Sequence, residues 1–236
     1  EKHPEHNIWI PEMIFGHLRT STNYDKQEKK IVGGKNGFGF KLVLIWSEWG
    51  SVETFDHIRK KKYVQYFRDN LNVIEPPTIT KGTGKPYTKV TFKPDYKRLG
   101  LVNLTASMRA MFERRIYDIA AVTEKRVVVK LNGEPIQVKT FPNYIDMYIG
   151  DKDERERVYE AVNDRWEYAV CLSPYDEYTT VSFVNGIYTA KGGKHTEYIT
   201  NQIVKKMTAL ILKKKKITVK PTAIKEQLML FLRCDI

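Results

Sequence analysis

Ile31-Val-Gly-Gly-Lys-Asn-Gly-Phe-Gly-Phe-Lys-Leu-Val-Leu-Ile-Trp46 is the stretch whose reading decides the fold. Four glycines, at positions 33, 34, 37 and 39, run straight into an apolar segment that suits either a helix or a buried strand. A permissive backbone leading into a helix start is a common way to build an anion site. The unpaired N–H groups of the first turn carry partial positive charge, and residues without a Cβ let a phosphate come close. Lys35 and Lys41 add full charges. Taken alone, the pattern fits a plain loop as well as a phosphate cradle, and its neighbours have to arbitrate.

The composition narrows the class. A chain of 236 residues, 42% of them hydrophobic and 12% aromatic, can bury a proper core, and two modest domains suit this length better than one. No run approaches the roughly 18 apolar residues of a membrane span. Glu1 to His6 holds no apolar signal core. A soluble protein with no membrane partner is expected. Cys171 and Cys234 are the only cysteines and no metal-ligand spacing accompanies them, so a reducing compartment fits and neither a disulfide framework nor a zinc site is indicated. The net charge of +12 favours a polyanionic partner such as nucleic acid over simple solubility.

Outward from the glycines, Ile8 to Ile10 reads as a short strand, followed by a helix that opens on Pro11 and ends near Leu18. Thr20 to Lys30 is polar and aperiodic, an exposed loop of a length that suits a lid. Val52 to Phe55, Tyr63 to Phe67 and Thr88 to Phe92 are β-rich runs between turn signals and are expected to share an antiparallel sheet. Met108, Met111, Phe112, Ile116, Ile119 and Ala120 recur at helical spacing. Asn132-Gly133 suits a tight hairpin turn, and a short helix follows Phe141-Pro142. A domain boundary is expected near residue 140. Beyond it, Trp166 to Leu172 and Tyr178 to Val184 should pair antiparallel across Ser173-Pro174-Tyr175-Asp176. A helix carrying Ile199, Ile203, Met207, Leu210 and Ile211 on one face then ends in Lys213 to Lys216, and Gln227 to Cys234 forms a last strand. The lysine run is either a solvated helix end, favourable to the helix dipole, or part of a basic surface with Lys205, Lys206 and Lys220 that meets DNA phosphates.

Several separated stretches, read together, resemble one family. They are Ile10 to Asp25, Glu28 to Leu42, Tyr87-Thr-Lys-Val-Thr-Phe-Lys-Pro-Asp95, Arg114-Arg-Ile-Tyr-Asp118, Val181-Ser-Phe-Val-Asn185 and Lys191-Gly-Gly-Lys-His195. Their order and spacing are similar to those of type IIA DNA topoisomerases, specifically the ATPase region of eukaryotic-type topoisomerase II. The resemblance implies an α+β fold. Its first part is a Bergerat-type (gyrase- and chaperone-like) ATPase α/β sandwich, incomplete here, at 1–140, and an α/β transducer domain, also incomplete, follows at 141–236. It further implies ATP and Mg²⁺ as cofactors, double-stranded DNA as partner, a homodimer for the full-length protein with a monomer plausible for this piece, and the nucleus or another DNA replication compartment as location.

Carried over by position, the resemblance gives Ser21, Thr22 and Asn23 the phosphate and ribose contacts. Lys35, Asn36, Gly37, Phe38 and Gly39 become the loop around the triphosphate, and Lys41 the basic residue at the start of the helix behind it. Thr88 and Val90 lie beside the adenine, with Ile14 and Phe15 as its apolar wall. Lys213, Lys214, Lys215 and Lys216 are the candidate DNA contacts. Three positions depart from the family pattern: Lys35 in place of arginine, Phe38 in place of tyrosine and Phe40 in place of alanine. The first keeps charge but loses the bidentate fork, the second loses a hydroxyl, and the third needs room behind the loop.

The family's water-activating glutamate and magnesium-holding asparagine come from a helix upstream of the part resembled here, and its γ-phosphate lysine from a loop downstream. No catalytic residue and no metal ligand is therefore assigned in this chain. Glu12 stands in the wrong motif for a base, and His195 in the transducer suits a structural role. An internal fragment with little or no ATP turnover is expected, from an ATP-dependent enzyme that passes one duplex through another. The alternatives are a non-catalytic basic DNA-binding or clamp module of the same superfamily, and a mismatch-repair type clamp, against which the matches at 87–95 and 181–195 weigh.

Overall fold

The computed structural model describes residues 1–21, 23, 31, 33, 34 and 36–236. Thr22, Lys35 and the loop expected over 24–30 lie outside the described residues. The chain forms two compact units, one holding the N-terminal segment and residues 34–106, the other Ile31 and Gly33 with residues 107–236.

In the first unit, α1 (Ile10–Gly16) carries Pro11 in its first turn, where a missing N–H leaves no helical bond unmade. The strand expected over 8–10 does not form. Ile10 is already helical, and Trp9 makes only an isolated bridge to Lys2. The glycine-rich segment leads into α2 (Gly39–Ile45), so the apolar run after it is a helix rather than a strand. β1 (Ser47–Asp56), β2 (Lys61–Arg68), β3 (Val73–Ile74), β4 (Thr78–Lys81) and β5 (Tyr87–Pro94) follow in one antiparallel sheet, ordered β3-β2-β1-β5 with β4 also on β2. The three expected strands thus share a sheet, with β1 in the middle.

α2 packs down on this sheet at Gly50, where a Cβ would sit 2.3 Å from the Leu44 side chain. Leu44, Val52 and Phe67 form the core of the unit, with Phe15, Phe40, Leu71 and Ile74 around them.

The second unit opens with α3 (Ala106–Val122), then the hairpin β6 (Lys130–Leu131) and β7 (Glu134–Pro135), whose turn residues Asn132 and Gly133 have φ of 51° and 89°. α4 (Phe141–Ile149) is capped by Thr140, whose hydroxyl accepts from the Asn143 amide at 3.2 Å. After it come β8 (Arg157–Asn163), β9 (Trp166–Leu172), β10 (Thr179–Val184), β11 (Ile187–Tyr188), α5 (Lys194–Lys215), α6 (Pro221–Glu226) and β12 (Leu228–Cys234). The compact units divide earlier than residue 140 because Ala120 and Ala121 of α3 share a core with Phe141, Tyr144, Phe183 and Phe231.

One expected pairing is corrected. β9 and β10 do not pair. The sheet runs β11-β10-β12-β9-β8, and β12 lies between them, parallel to β10 and antiparallel to β9. The reason is burial on both faces: Met229 and Phe231 point into the core under α3 and α4, while Leu228, Leu230 and Leu232 pack on the side of α5. A strand so apolar belongs in the centre of a sheet, and the α5–α6 crossover supplies the chain length that parallel pairing with β10 requires. β8, almost wholly exposed, takes the edge.

Candidate nucleotide-binding site

The site is built where the loop before α2 folds against the segment that follows α1. Gly37 has φ of 66°, and a Cβ there would lie 3.1 Å from the Ser21 amide nitrogen and 3.3 Å from the Ser21 Cβ. Both the conformation and the close approach call for glycine. Across the same junction Asn23 donates from its side-chain amide to the Gly34 carbonyl at 2.8 Å, and its backbone N–H donates to the Ser21 hydroxyl at 3.1 Å. The polar segment and the glycine loop, separate in sequence, therefore form one cradle.

Lys41 locks it. This residue is 4% exposed, and its ammonium donates to the Gly37 carbonyl at 2.6 Å and to the Thr20 hydroxyl at 3.0 Å. Burial lowers its pKa from the usual lysine value. Three donors with two bonds to neutral oxygens leave the charge without a carboxylate among the described residues. A buried cation in this state is stabilised by an anion brought to it, which is the electrostatic content of the site. Thr20 was not singled out by sequence, since only the folded backbone brings its hydroxyl to a lysine twenty-one positions away.

The other candidates sort as follows. Phe38 is the half-buried N-cap of α2, Gly39 its first residue with open space around it, and Asn36 is exposed. Phe15 meets Phe40 edge-to-face, ring centroids 5.0 Å apart, so the room that Phe40 needs is supplied by the core beneath α1. Phe15 is thereby mainly a core residue, while Ile14 beside it is exposed. Thr88 and Val90 share one exposed side of β5, in register with Thr54 and Val52 of β1, and the Thr54 and Thr88 hydroxyls are 3.0 Å apart. α1 packs on α2, and α2 on β1 and β5, so one layered unit carries all these positions.

Glu12 belongs to the scaffold. Its carboxylate accepts from the buried Gln65 amide at 2.9 Å and lies 3.4 Å from the His17 ring. His195 is likewise tied down, 3.1 Å from the Thr189 hydroxyl and 3.3 Å from that of Ser182, and burial lowers its pKa. His3, Glu5 and His6 bring ligand-type atoms within 4.8 Å at an exposed turn, but the two imidazoles are stacked with planes 20° apart. In-plane lone pairs of stacked rings do not converge on one ion, so this is not a preformed chelate. Lys213, Lys214 and Lys215 form the exposed last turn of α5, and Lys216 ends it in the left-handed conformation. Among the described residues no helix is long and apolar enough to cross a membrane.

Known proteins of similar sequence and fold carry related names. A family model for DNA gyrase B matches residues 140–236. The DNA topoisomerase 2 of Candida glabrata is 42% identical over 251 residues, an alignment covering 99% of this chain and 18% of that protein. The chain thus spans less than a fifth of the length of this curated relative. The crystal structure of the ATPase region of Saccharomyces cerevisiae topoisomerase II superposes with a TM-score of 0.91 at 44% identity, covering all of this chain and 61% of the other. That of the ATPase and transducer domains of Balamuthia mandrillaris DNA topoisomerase II gives 0.92 at 38% identity, with the same coverage. With identity sustained across nearly its whole length and a closely superposing fold, the chain is similar to part of the ATPase region of eukaryotic DNA topoisomerase 2 proteins.

Proposed function

We propose that this chain is the nucleotide-binding core and transducer of an ATP-dependent type II DNA topoisomerase, an enzyme that passes one duplex through a transient double-strand break in another. The observation that carries the reading is the buried Lys41 inside a glycine loop closed on Ser21 and Asn23. Residues 1–140 are assigned to nucleotide binding and 141–236 to the transducer, a functional division that differs from the packing, in which residues 107–140 belong to the second compact unit. The residues present suit ATP: the hydroxyl and amide groups of Ser21 and Asn23 would hold phosphate and sugar oxygens, the backbone N–H groups of the glycine loop would hold phosphate, and Lys41 would supply charge. Ser21 and Asn23 offer no carboxylate, so Mg²⁺, a hard cation, would enter chiefly on the phosphate oxygens, whose charge it neutralises. With no base assigned, this chain holds nucleotide and leaves turnover to groups elsewhere in the full protein. Lys213 to Lys216 contact DNA backbone, the full protein is a homodimer, and it works in the nucleus or the compartment where DNA is replicated.

The test is nucleotide affinity measured on a protein extended at both ends, with and without Gly37→Val. Binding lost in the variant supports the reading. Absence of measurable ATP binding in the extended parent, or binding indifferent to Gly37→Val, would overturn it. For the DNA contact, changing Lys213 to Lys216 to glutamate should depress DNA-stimulated ATPase and flatten its salt dependence. An unchanged response would leave the lysines as a helix end.

A further inference from the structure

We infer that the β1–β2 turn of the first unit carries a second phosphate-gripping surface, formed by Lys60, Lys61 and Lys81, that binds the backbone of duplex nucleic acid. The inference rests on the DNA reading above but uses different residues in a different unit.

Four consecutive cations, Arg59 to Lys62, run from the turn into the start of β2, and the fold neutralises only the outer two. Arg59 pairs with Asp56 and Glu1, each at 2.8 Å, and Lys62 with Glu53 at 3.0 Å. Lys60, Lys61 and Lys81 have no ion pair among the described residues. Register makes this worse: Lys61 stands directly opposite Lys81 across the β2–β4 ladder. Like charges in that position repel and destabilise the pairing, so the arrangement is favoured when an anion lies between them.

The scaffold holding these charges is rigid. The Asp56 carboxylate accepts from the Ile58 and Arg59 amides, each at 3.0 Å, and from the Arg59 guanidinium at 2.8 Å. Lys60 is left-handed, with φ of 53°, and its carbonyl accepts from the Gly82 amide at 3.0 Å, tying the turn to the end of β4. The result is an open cleft of about 570 Å³, lined by Arg59, Lys60, Lys61, Lys81, Gly82 and Thr83. No acidic and no large apolar side chain lines it. A protein partner would need an apolar or aromatic core to its interface. A lining of point charges suits repeated phosphates read without sequence preference.

The experiment is binding of a fluorescent 30-base-pair duplex to this chain over a range of salt concentrations. Each phosphate contact contributes about 0.9 to the slope of log affinity against log salt, so Lys60→Gln/Lys61→Gln/Lys81→Gln should lower the slope by about two to three and weaken binding by roughly tenfold or more at low salt. A control replacing exposed lysines of the second unit, Lys125→Gln/Lys130→Gln/Lys152→Gln, should change both much less. An unchanged slope in the first variant, or an equal loss in the control, overturns the inference. If the unaltered chain binds no duplex, the DNA reading falls with it. If only the Lys213 to Lys216 variant loses binding, the DNA reading stands and this surface does not. Polyglutamate binding that outcompetes the duplex and depends on the same three lysines would reassign the surface to an acidic protein.

Discussion

The Lys41 ammonium donates to the Gly37 carbonyl at 2.6 Å, joining the first turn of α2 to a loop residue with φ of 66°. That bond closes the loop on itself, and the second, to Thr20, closes it on the segment after α1.

Gly37 and Gly39 should therefore respond differently to alanine. A Cβ at Gly37 meets Ser21 and forces a left-handed L-residue, a cost of about 1–2 kcal/mol, whereas Gly39 has open space at a helix start, where alanine is neutral or stabilising by up to about 1 kcal/mol. Denaturant midpoints of the two variants check this. Equal destabilisation would show that the loop is not held as described.

Lys41 makes stability depend on alkaline pH. Burial lowers its folded pKa below the unfolded value, so between the two the unfolded state binds more protons and stability rises with pH across that window. Below the folded pKa the full penalty of a buried charge applies. The difference in unfolding free energy between the parent and Lys41→Met should shrink in the parent's favour as pH is raised towards 10.5. Under the proposed nucleotide-binding role, affinity of Lys41→Met for ATP should fall at every pH, because the buried charge that attracts an anion and both bonds closing the loop are gone.

His195 acts at the acid end with the same sign. Its folded pKa lies below 6.5, so acidification through 6.5 protonates the unfolded chain first and stability falls as pH drops towards the folded pKa. His195→Gln keeps a hydrogen-bonding group near Ser182 and Thr189 and removes the titration. Its stability should change less than the parent's between neutral and mildly acid pH, as followed by urea unfolding.

The two cysteines should be inert in the native state. Both are buried, burial raises the Cys171 pKa, and the Cys234 thiol is pushed up to about 11. Mass spectrometry after iodoacetamide should show no label on the folded chain at neutral pH and two labels after unfolding. Rapid native labelling of either would contradict the packing of β9 and β12.

Tyr144 holds the second unit's core to α3 through its hydroxyl, which donates to the buried Asp118 carboxylate at 2.5 Å, while Arg115 bonds the other oxygen at 2.6 Å. Hydrogen bonds to charged groups contribute about 1.5–3 kcal/mol. Tyr144→Phe should cost about that much, and Asp118→Ala more, because it removes the bonds to both Tyr144 and Arg115 and leaves a small void beside α3. Thermal denaturation ranks the two.

Much of the molecule was legible in the residues. Helical spacing placed α3 and α5, Asn132-Gly133 placed the hairpin, and alternation with turn signals placed β1, β2 and β5. These are local signals, in which each residue's neighbours within a turn or a strand decide its conformation. The site was half legible: the glycine loop and the polar segment were visible as motifs, but Thr20 as the partner of Lys41, the docking of Phe40 on Phe15 and the unneutralised turn lysines were not, since each depends on a residue distant in sequence. β8 was missed because Arg157 to Asn163 directly follows the charged run from Asp151 and buries no face that would give it an alternating pattern, and β9–β10 pairing was misjudged because sequence adjacency is a poor guide when a more apolar strand competes for the centre.

The residues alone carried the resemblance, through their motifs, and the kinds of element and the glycine-dependent loop, through local sterics and hydrophobic period. Only the tertiary structure decided which strand lies in the middle of the second sheet, which hydroxyl meets the buried lysine and which surface charges stay unpaired. Those outcomes are set by competition among long-range contacts for burial and for counter-charge, and no single stretch of chain carries them.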